Sequence, residues 1–290
     1  MTDKPPFRSP LAYENKRFLD SPDGRVLRIL AEYSEPLSRF RRERIQDTIV
    51  FFGSARFHSL SDAEVALQEL ERPFSARPAP QDAGNLKAAH AAVEMARYYE
   101  DARKLASMLT RWTRTLPSKR HRFVVTTGGG PGIMEAANRG AFEAGGKTVG
   151  LNINLPYEQM PNRYITPELN FEFHYFFMRK LWFAYLAKAL IVFPGGFGTF
   201  DELFEILTLA QTEKLAKKII VVMYGSEYWK KVINFEALVD AGVIAEQDLN
   251  LFQMCDDPET AFEHLRLGLT QYHLPGTHPE KEPDIAKTRP

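Results

Sequence analysis

The chain has a single cysteine, Cys255, among 290 residues. That excludes an internal disulfide and any cysteine-rich zinc site. It has no excess of charge: 37 Lys and Arg balance 37 Asp and Glu. No strong field therefore favours DNA, RNA or an anionic membrane as a partner. No apolar run is long enough to span a bilayer, and Met1-Thr2-Asp3-Lys4-Pro5-Pro6 lacks the charged-then-apolar layout of a secretion signal. No His, Asp or Glu spacing marks a metal, and no Ser–His pairing is visible. These absences lead us to expect a cytoplasmic protein with no metal, no cofactor, no membrane contact and no nucleic-acid partner. With 44% hydrophobic residues the chain can bury a substantial core.

What the sequence does have is two glycine-rich turns. One is Thr126-Thr127-Gly128-Gly129-Gly130-Pro131-Gly132, the other Pro194-Gly195-Gly196-Phe197-Gly198-Thr199. Each follows a β-branched run and opens a helical pattern. Glycine lets main-chain amides close on an anion, and the helix behind adds free N–H groups and the positive end of its dipole. Gly53-Ser54-Ala55-Arg56, after the strand-like Thr48-Ile49-Val50-Phe51-Phe52, is a third candidate ligand loop. Thr199 is a candidate phosphate contact and a candidate cap of its helix, and can be both at once. Neither turn has the spacing of a dinucleotide fingerprint, and no ATPase phosphate loop occurs. A mononucleotide or sugar phosphate is the better ligand.

Strands at 48–52, 122–126, 148–153, 171–175, 189–193 and 218–222 alternate with helices near 85–115, 131–144, 176–188, 198–212 and 226–240. This order predicts an α/β fold, a doubly wound, mostly parallel, Rossmann-like sheet flanked by helices. Extra N-terminal helices, divided at Pro36, end in the basic stretch Arg39-Phe40-Arg41-Arg42, read as a solvated face. The predicted organisation is an N-terminal helical extension over 1–46, the Rossmann-like domain over 47–272 with an insertion at 57–84, and a flexible tail over 273–290.

Two charged residues stand in the wrong rows. Glu202 shares its helical row with Ile206 and Leu209, and Arg179 shares one with Phe183 and Leu186. A carboxylate or guanidinium on an apolar face needs a partner or a cavity. Either the two form an ion pair joining their helices, or both line one pocket; we favour the pocket. Asp201 falls on a polar stripe, and Lys180 marks a polar edge. Glu135 repeats with Arg139 and Glu143 at four-residue spacing, as on a solvated face, but its first-turn position also makes it a candidate ribose contact. His174 reads as a packed core histidine.

At these residues the chain resembles the LOG family, the cytokinin riboside 5′-monophosphate phosphoribohydrolases. The signature P-G-G-x-G-T-x-x-E is met in full by Pro194 to Glu202, and the upstream Arg-Lys pair by Arg179-Lys180. Gly128 to Asn138 looks like the longer bacterial members. The resemblance covers roughly 48–56 and 120–240. It implies a homodimeric hydrolase that cleaves the N-glycosidic bond of nucleoside 5′-monophosphates, AMP or cytokinin riboside monophosphates, to free base and ribose 5-phosphate. It makes Arg179 and Glu202 the catalytic pair. The implied substrate contacts are Gly53, Ser54, Gly129, Gly130, Gly132, Glu135, Met178, Lys180, Gly195, Gly196, Gly198 and Thr199. The chain departs from plant-type members, which carry Met-His-Glu where it has Phe176-Phe177-Met178. The rival reading is a non-catalytic carrier of a nucleotide-like ligand, of the molybdenum cofactor carrier type. A pyridoxal-dependent decarboxylase has no support, because no lysine has the context of a Schiff base.

Overall fold

The computed structural model describes residues 9–71, 80–155, 160–215 and 217–274. Among them seven strands form one sheet: β1 (Thr48–Phe52), β2 (Val124–Thr127), β3 (Thr148–Ile153), β4 (Asn170–Phe173), β5 (Ala187–Val192), β6 (Ile220–Tyr224) and β7 (Phe252–Cys255). Their order is β4-β3-β2-β1-β5-β6-β7, and every pairing is parallel. The helices are α1 (Lys16–Leu19), α2 (Arg25–Arg42), α3 (Leu60–Glu71), α4 (Pro80–Thr113), α5 (Ile133–Glu143), α6 (Phe176–Leu186), α7 (Phe197–Gln211), α8 (Ser226–Val232), α9 (Phe235–Asp240) and α10 (Pro258–His273). This is the doubly wound α/β architecture expected from the sequence.

Side chains alternate across the sheet, and helices cover both faces. Val50 and Phe52 of β1 join Leu190, Trp182 and Phe183 in one core, whereas Ile49 and Phe51 join Ala189, Leu105 and Leu109 in the other. The chain adds strands outward from β1 to β4, then returns to the other side of β1 with β5. The topological switch point therefore lies between β1 and β5, where open α/β sheets hold their ligands.

Pro36 does not divide the N-terminal helix: α2 runs unbroken through it. Proline has no N–H to give to the carbonyl four residues back, which is that of Glu32. Trp182 Nε1 donates to that oxygen instead, at 2.9 Å. The kink penalty is thus offset by a tertiary contact that local sequence cannot display. Trp182→Phe should orphan the Glu32 carbonyl and cost about 1–3 kcal/mol, read as a lower denaturation midpoint.

Other boundaries moved for identifiable reasons. The segment expected as one helix over 226–240 is two, because Ile233 is extended and the Asn234 side chain accepts from Ala237 N at 3.0 Å to start α9. β5 begins at Ala187 directly after α6, without a loop. β7 and α10 were not resolved by the sequence reading, although Asp257-Pro258 is a start signal and the Asp257 side chain caps Thr260 N. His273, placed in the tail, is a buried residue of α10; residues beyond 274 lie outside the described ones. α3 falls within the 57–84 segment, part of which also lies outside them. His174 is exposed, not packed in the core. The stretch at Arg39 is only partly solvated: Phe40 is buried, and the Arg39 guanidinium lies over the Phe171 ring at 4.1 Å and donates to Asn170 O at 2.9 Å.

Candidate functional site

The carboxyl ends of β1, β2 and β5 are neighbours, so their three following loops meet at one sheet edge. Main-chain bonds tie them together. Ser54 N donates to Pro194 O at 2.9 Å, and Ile133 N donates to Ser54 O at 3.0 Å. Gly132 packs so closely on Ser54 and Ala55 that a β-carbon would meet Ser54 O at 2.3 Å. A β-carbon on Gly53 would collide with Ile133. Several glycines thus serve loop-on-loop packing rather than an open cradle.

The first turn is locked from behind. Gly129, at φ +77°, donates its N–H to Thr127 Oγ1 at 3.0 Å. That hydroxyl donates in turn to Asn138 Oδ1. Asn162 Nδ2 donates to the carbonyls of Gly129 and Gly130 and to Asn138 Oδ1. All of these polar groups are buried and satisfied, so the network fixes one loop conformation. The sequence reading quoted Asn138 only as part of a resemblance and missed Asn162; no local pattern marks a residue that acts across 32 positions.

The second turn is different. Gly195 is buried, its carbonyl accepting from the Tyr228 hydroxyl at 2.6 Å. Gly196, Phe197 and Gly198 are exposed, and neither Gly196 nor Gly198 has anything within 4 Å of a β-carbon position. Thr199 N donates to Gly196 O, but the amides of Phe197 and Gly198 ahead of it have no intrahelical acceptor. Open space, bare amides and the positive helix end coincide at Gly196–Gly198. The helix begins after Gly196, so Thr199 is not its cap; it is buried, with its hydroxyl against Gly195.

Arg179 lies on α6 and Glu202 on α7, the helix that follows the second turn. A β-carbon on Gly128 would lie 3.9 Å from Arg179 Nη2, so the guanidinium reaches the first glycine turn. Its Nε is buried with no hydrogen-bond partner among the described residues. Phe183 lies beneath the guanidinium, 5.3 Å from its carbon to the ring centroid. Burial holds the Arg179 pKa below its usual range, opposed by the charges of Glu202 and Asp201. Glu202 is 5% exposed. Burial pushes its pKa up to about 7 against the pull of Lys180 and Arg179. The two groups feel each other's charge, yet no ion pair joins them among the described residues. A narrow void beside Glu202 is lined by Val50, Phe52, Lys180 and Phe183; neither Arg179 nor a glycine turn lines it.

Lys180 bridges the two helices instead, with Asp201 Oδ2 at 2.7 Å and Glu205 Oε2 at 2.8 Å. Asp201, expected to be solvated, therefore has a partner. Met178 is buried in the core. Glu135 accepts from the Tyr99 hydroxyl at 2.9 Å, while Arg139 pairs with Glu143. The N-terminal extension reaches the site as well. The Glu32 carboxylate accepts from His174 N at 2.7 Å and Tyr175 N at 3.2 Å, capping the start of α6. Among the described residues no three His, Cys, Asp or Glu side chains gather as a metal site, and no helix is long and apolar enough to cross a membrane.

The fold and this three-loop edge define a Rossmann-like α/β protein in which three loops meet at the topological switch point. Residues 134–265 match the family model described as "Possible lysine decarboxylase". Over 138 residues the chain is 30% identical to a cytokinin riboside 5′-monophosphate phosphoribohydrolase of Rhodococcoides fascians, covering 47% of this chain and 68% of that one. It is 31% identical over 126 residues to the Arabidopsis thaliana phosphoribohydrolase LOG7, covering 42% and 56% of the two. The chain belongs to the LOG family. Among solved structures it is similar to the molybdenum cofactor binding protein of Rippkaea orientalis (19% identity, TM-score 0.41, 59% of this chain and 86% of that one). The molybdenum cofactor carrier protein of Chlamydomonas reinhardtii is comparable (22%, 0.39, 60% and 89%).

Proposed function

We propose that this protein hydrolyses the N-glycosidic bond of nucleoside 5′-monophosphates, releasing the base and ribose 5-phosphate. One observation carries the reading: a buried guanidinium with an unpartnered Nε reaches a glycine turn, beside a buried, unpaired carboxyl. A guanidinium built only to join helices would not leave its buried Nε without a partner. The names of the curated relatives point the same way.

In this reading the 5′-phosphate sits at the bare amides of Gly196–Gly198 and fixes the ribose over Glu202. As the C1′–N bond lengthens, its electron pair moves to the base and positive charge grows on the sugar. The Glu202 carboxylate stabilises that charge and takes a proton from the attacking water. Water thus supplies a hydroxyl to C1′ and, overall, a proton to the base. Arg179 positions the substrate. The network of Thr127, Asn138 and Asn162 keeps the first turn rigid. Phe176, Phe177 and Phe197, exposed beside the site, offer an apolar face for a second copy of the chain; sedimentation would show the dimer.

Incubation with a panel of nucleoside monophosphates, assayed for free base, tests the proposal. Released base that Glu202→Gln abolishes supports it. Tight nucleotide binding with no base released by the wild-type chain would favour the carrier. Gly198→Ala separates binding from folding. A methyl group there meets nothing and favours the helix by up to about 1 kcal/mol, so Tm should hold or rise. The same methyl would intrude on the phosphate, and KM should rise about tenfold or more.

A further inference from the structure

The opposite end of the sheet carries a second cavity that the proposed hydrolysis does not use. It is open, holds about 260 Å³, and lies between the end of α4 and the starts of β2 and β3. Arg114, Arg120, His121, Arg122 and Lys147 line it, and no carboxylate does. Three hydroxyls, of Thr110, Thr113 and Ser118, add neutral hydrogen-bonding groups. Leu116 gives it a small apolar side.

Two of these cations are already occupied. Arg122 pairs with Asp47 at 2.7 Å and donates to His273 O. Lys147 pairs with Glu43 at 2.8 Å. The other two guanidinium groups are not neutralised. Arg114 donates to Ala144 O, which carries no charge. The Arg120 side chain is exposed and has no partner among the described residues. Burial holds His121 below its usual pKa, and the charges of Lys147 and Arg44 push in the same direction against Glu43. Cations at the end of α4 would complement its dipole, but that does not require a concave wall free of acids.

Arg44 and Phe123 border this region at φ 55° and 52°. Arg44 follows the end of α2, its N–H donating to Arg41 O, a common left-handed helix ending. Asp47 holds the Phe123 backbone, accepting from its N at 2.5 Å. The fold explains both conformations, and only the cations point to a ligand.

We propose that this cavity is a second binding site, for a small phosphorylated molecule. Its phosphate would rest on Arg114 and Arg120, and its apolar part on Leu116. Guanidinium groups suit this task because their planar N–H pairs match phosphate oxygens. The strands of the sheet separate this site from the glycine turns.

Calorimetric titration of the full-length chain with inorganic pyrophosphate tests the proposal. Arg120→Glu should weaken one class of pyrophosphate site by about tenfold or more, and Arg120→Ala should weaken it less. Arg120 is exposed at the far edge, so both variants should fold, and far-ultraviolet circular dichroism would show it. Superimposable isotherms for all three chains, or no binding at all, would overturn the proposal. Because Arg120 stands apart from Arg179 and Glu202, either result leaves the hydrolase assay to be judged separately.

Discussion

Glu202→Gln is expected to lower kcat by about 10²- to 10⁴-fold while making the folded chain more stable above pH 7. Both effects come from one cause. The carboxyl is buried in a row of apolar neighbours, and burial raises its pKa to about 7. The folded chain therefore holds this proton more tightly than the unfolded chain, whose carboxyl titrates near 4.5. Between those values the native state binds more protons, so stability falls as pH rises. The contribution is fully present below pH 4.5 and lost as pH passes 7. Above that, the buried charge costs up to about 3 kcal/mol. Glutamine fills the same space without the charge. Denaturant melts should show the variant about 1–3 kcal/mol more stable at pH 8, with the gap closing below pH 4.5. A variant less stable at pH 8 would mean that the carboxylate is held by favourable contacts. Because the proposed chemistry needs the ionised form, wild-type kcat/KM should climb about tenfold per pH unit below 7 and then level off.

Asp47→Ala should have the largest effect on stability, a loss of about 3–5 kcal/mol. Asp47 and Arg122 form a buried pair, their side chains 2% and 6% exposed. One carboxylate oxygen accepts from Arg122 Nε and the other from Phe123 N. The same guanidinium donates to His273 O at the end of α10. Removing the acid leaves a buried guanidinium uncompensated and frees the strained Phe123 backbone. The group also joins the start of β2 to the last helix, so the loss should be cooperative. Chemical denaturation of the variant checks this. A change below about 1 kcal/mol would mean that water or a shift of the chain satisfies Arg122.

Much of the site was legible because its signals are local. β-Branched runs followed by glycines announce a strand and a turn, whereas Glu202, expected in the first turn, falls in the second because α7 already begins at Phe197. Its wrong row was visible all the same: helical periodicity is a property of consecutive residues. Arg179 was legible in the same way. The roles of other residues were not. Lys180 reads as a polar edge, yet it clamps α6 to α7 through Asp201 and Glu205. Glu135 reads as one rung of a surface ladder, yet it holds Tyr99. Gly129 reads as an open anion donor, yet its amide is taken by Thr127.

The amino-acid order alone determined the alternation of strands and helices, the two glycine turns, and the placing of one acid and one guanidinium on apolar faces. These follow from backbone sterics and helical period, which act within a few residues. Tertiary packing decided which of the glycine amides remain bare, whether Pro36 breaks its helix, and that Glu32 of the N-terminal extension caps the helix carrying Arg179. Each of those outcomes depends on a hydrogen-bond partner supplied from far along the chain. A buried polar group takes whichever partner the fold brings within reach.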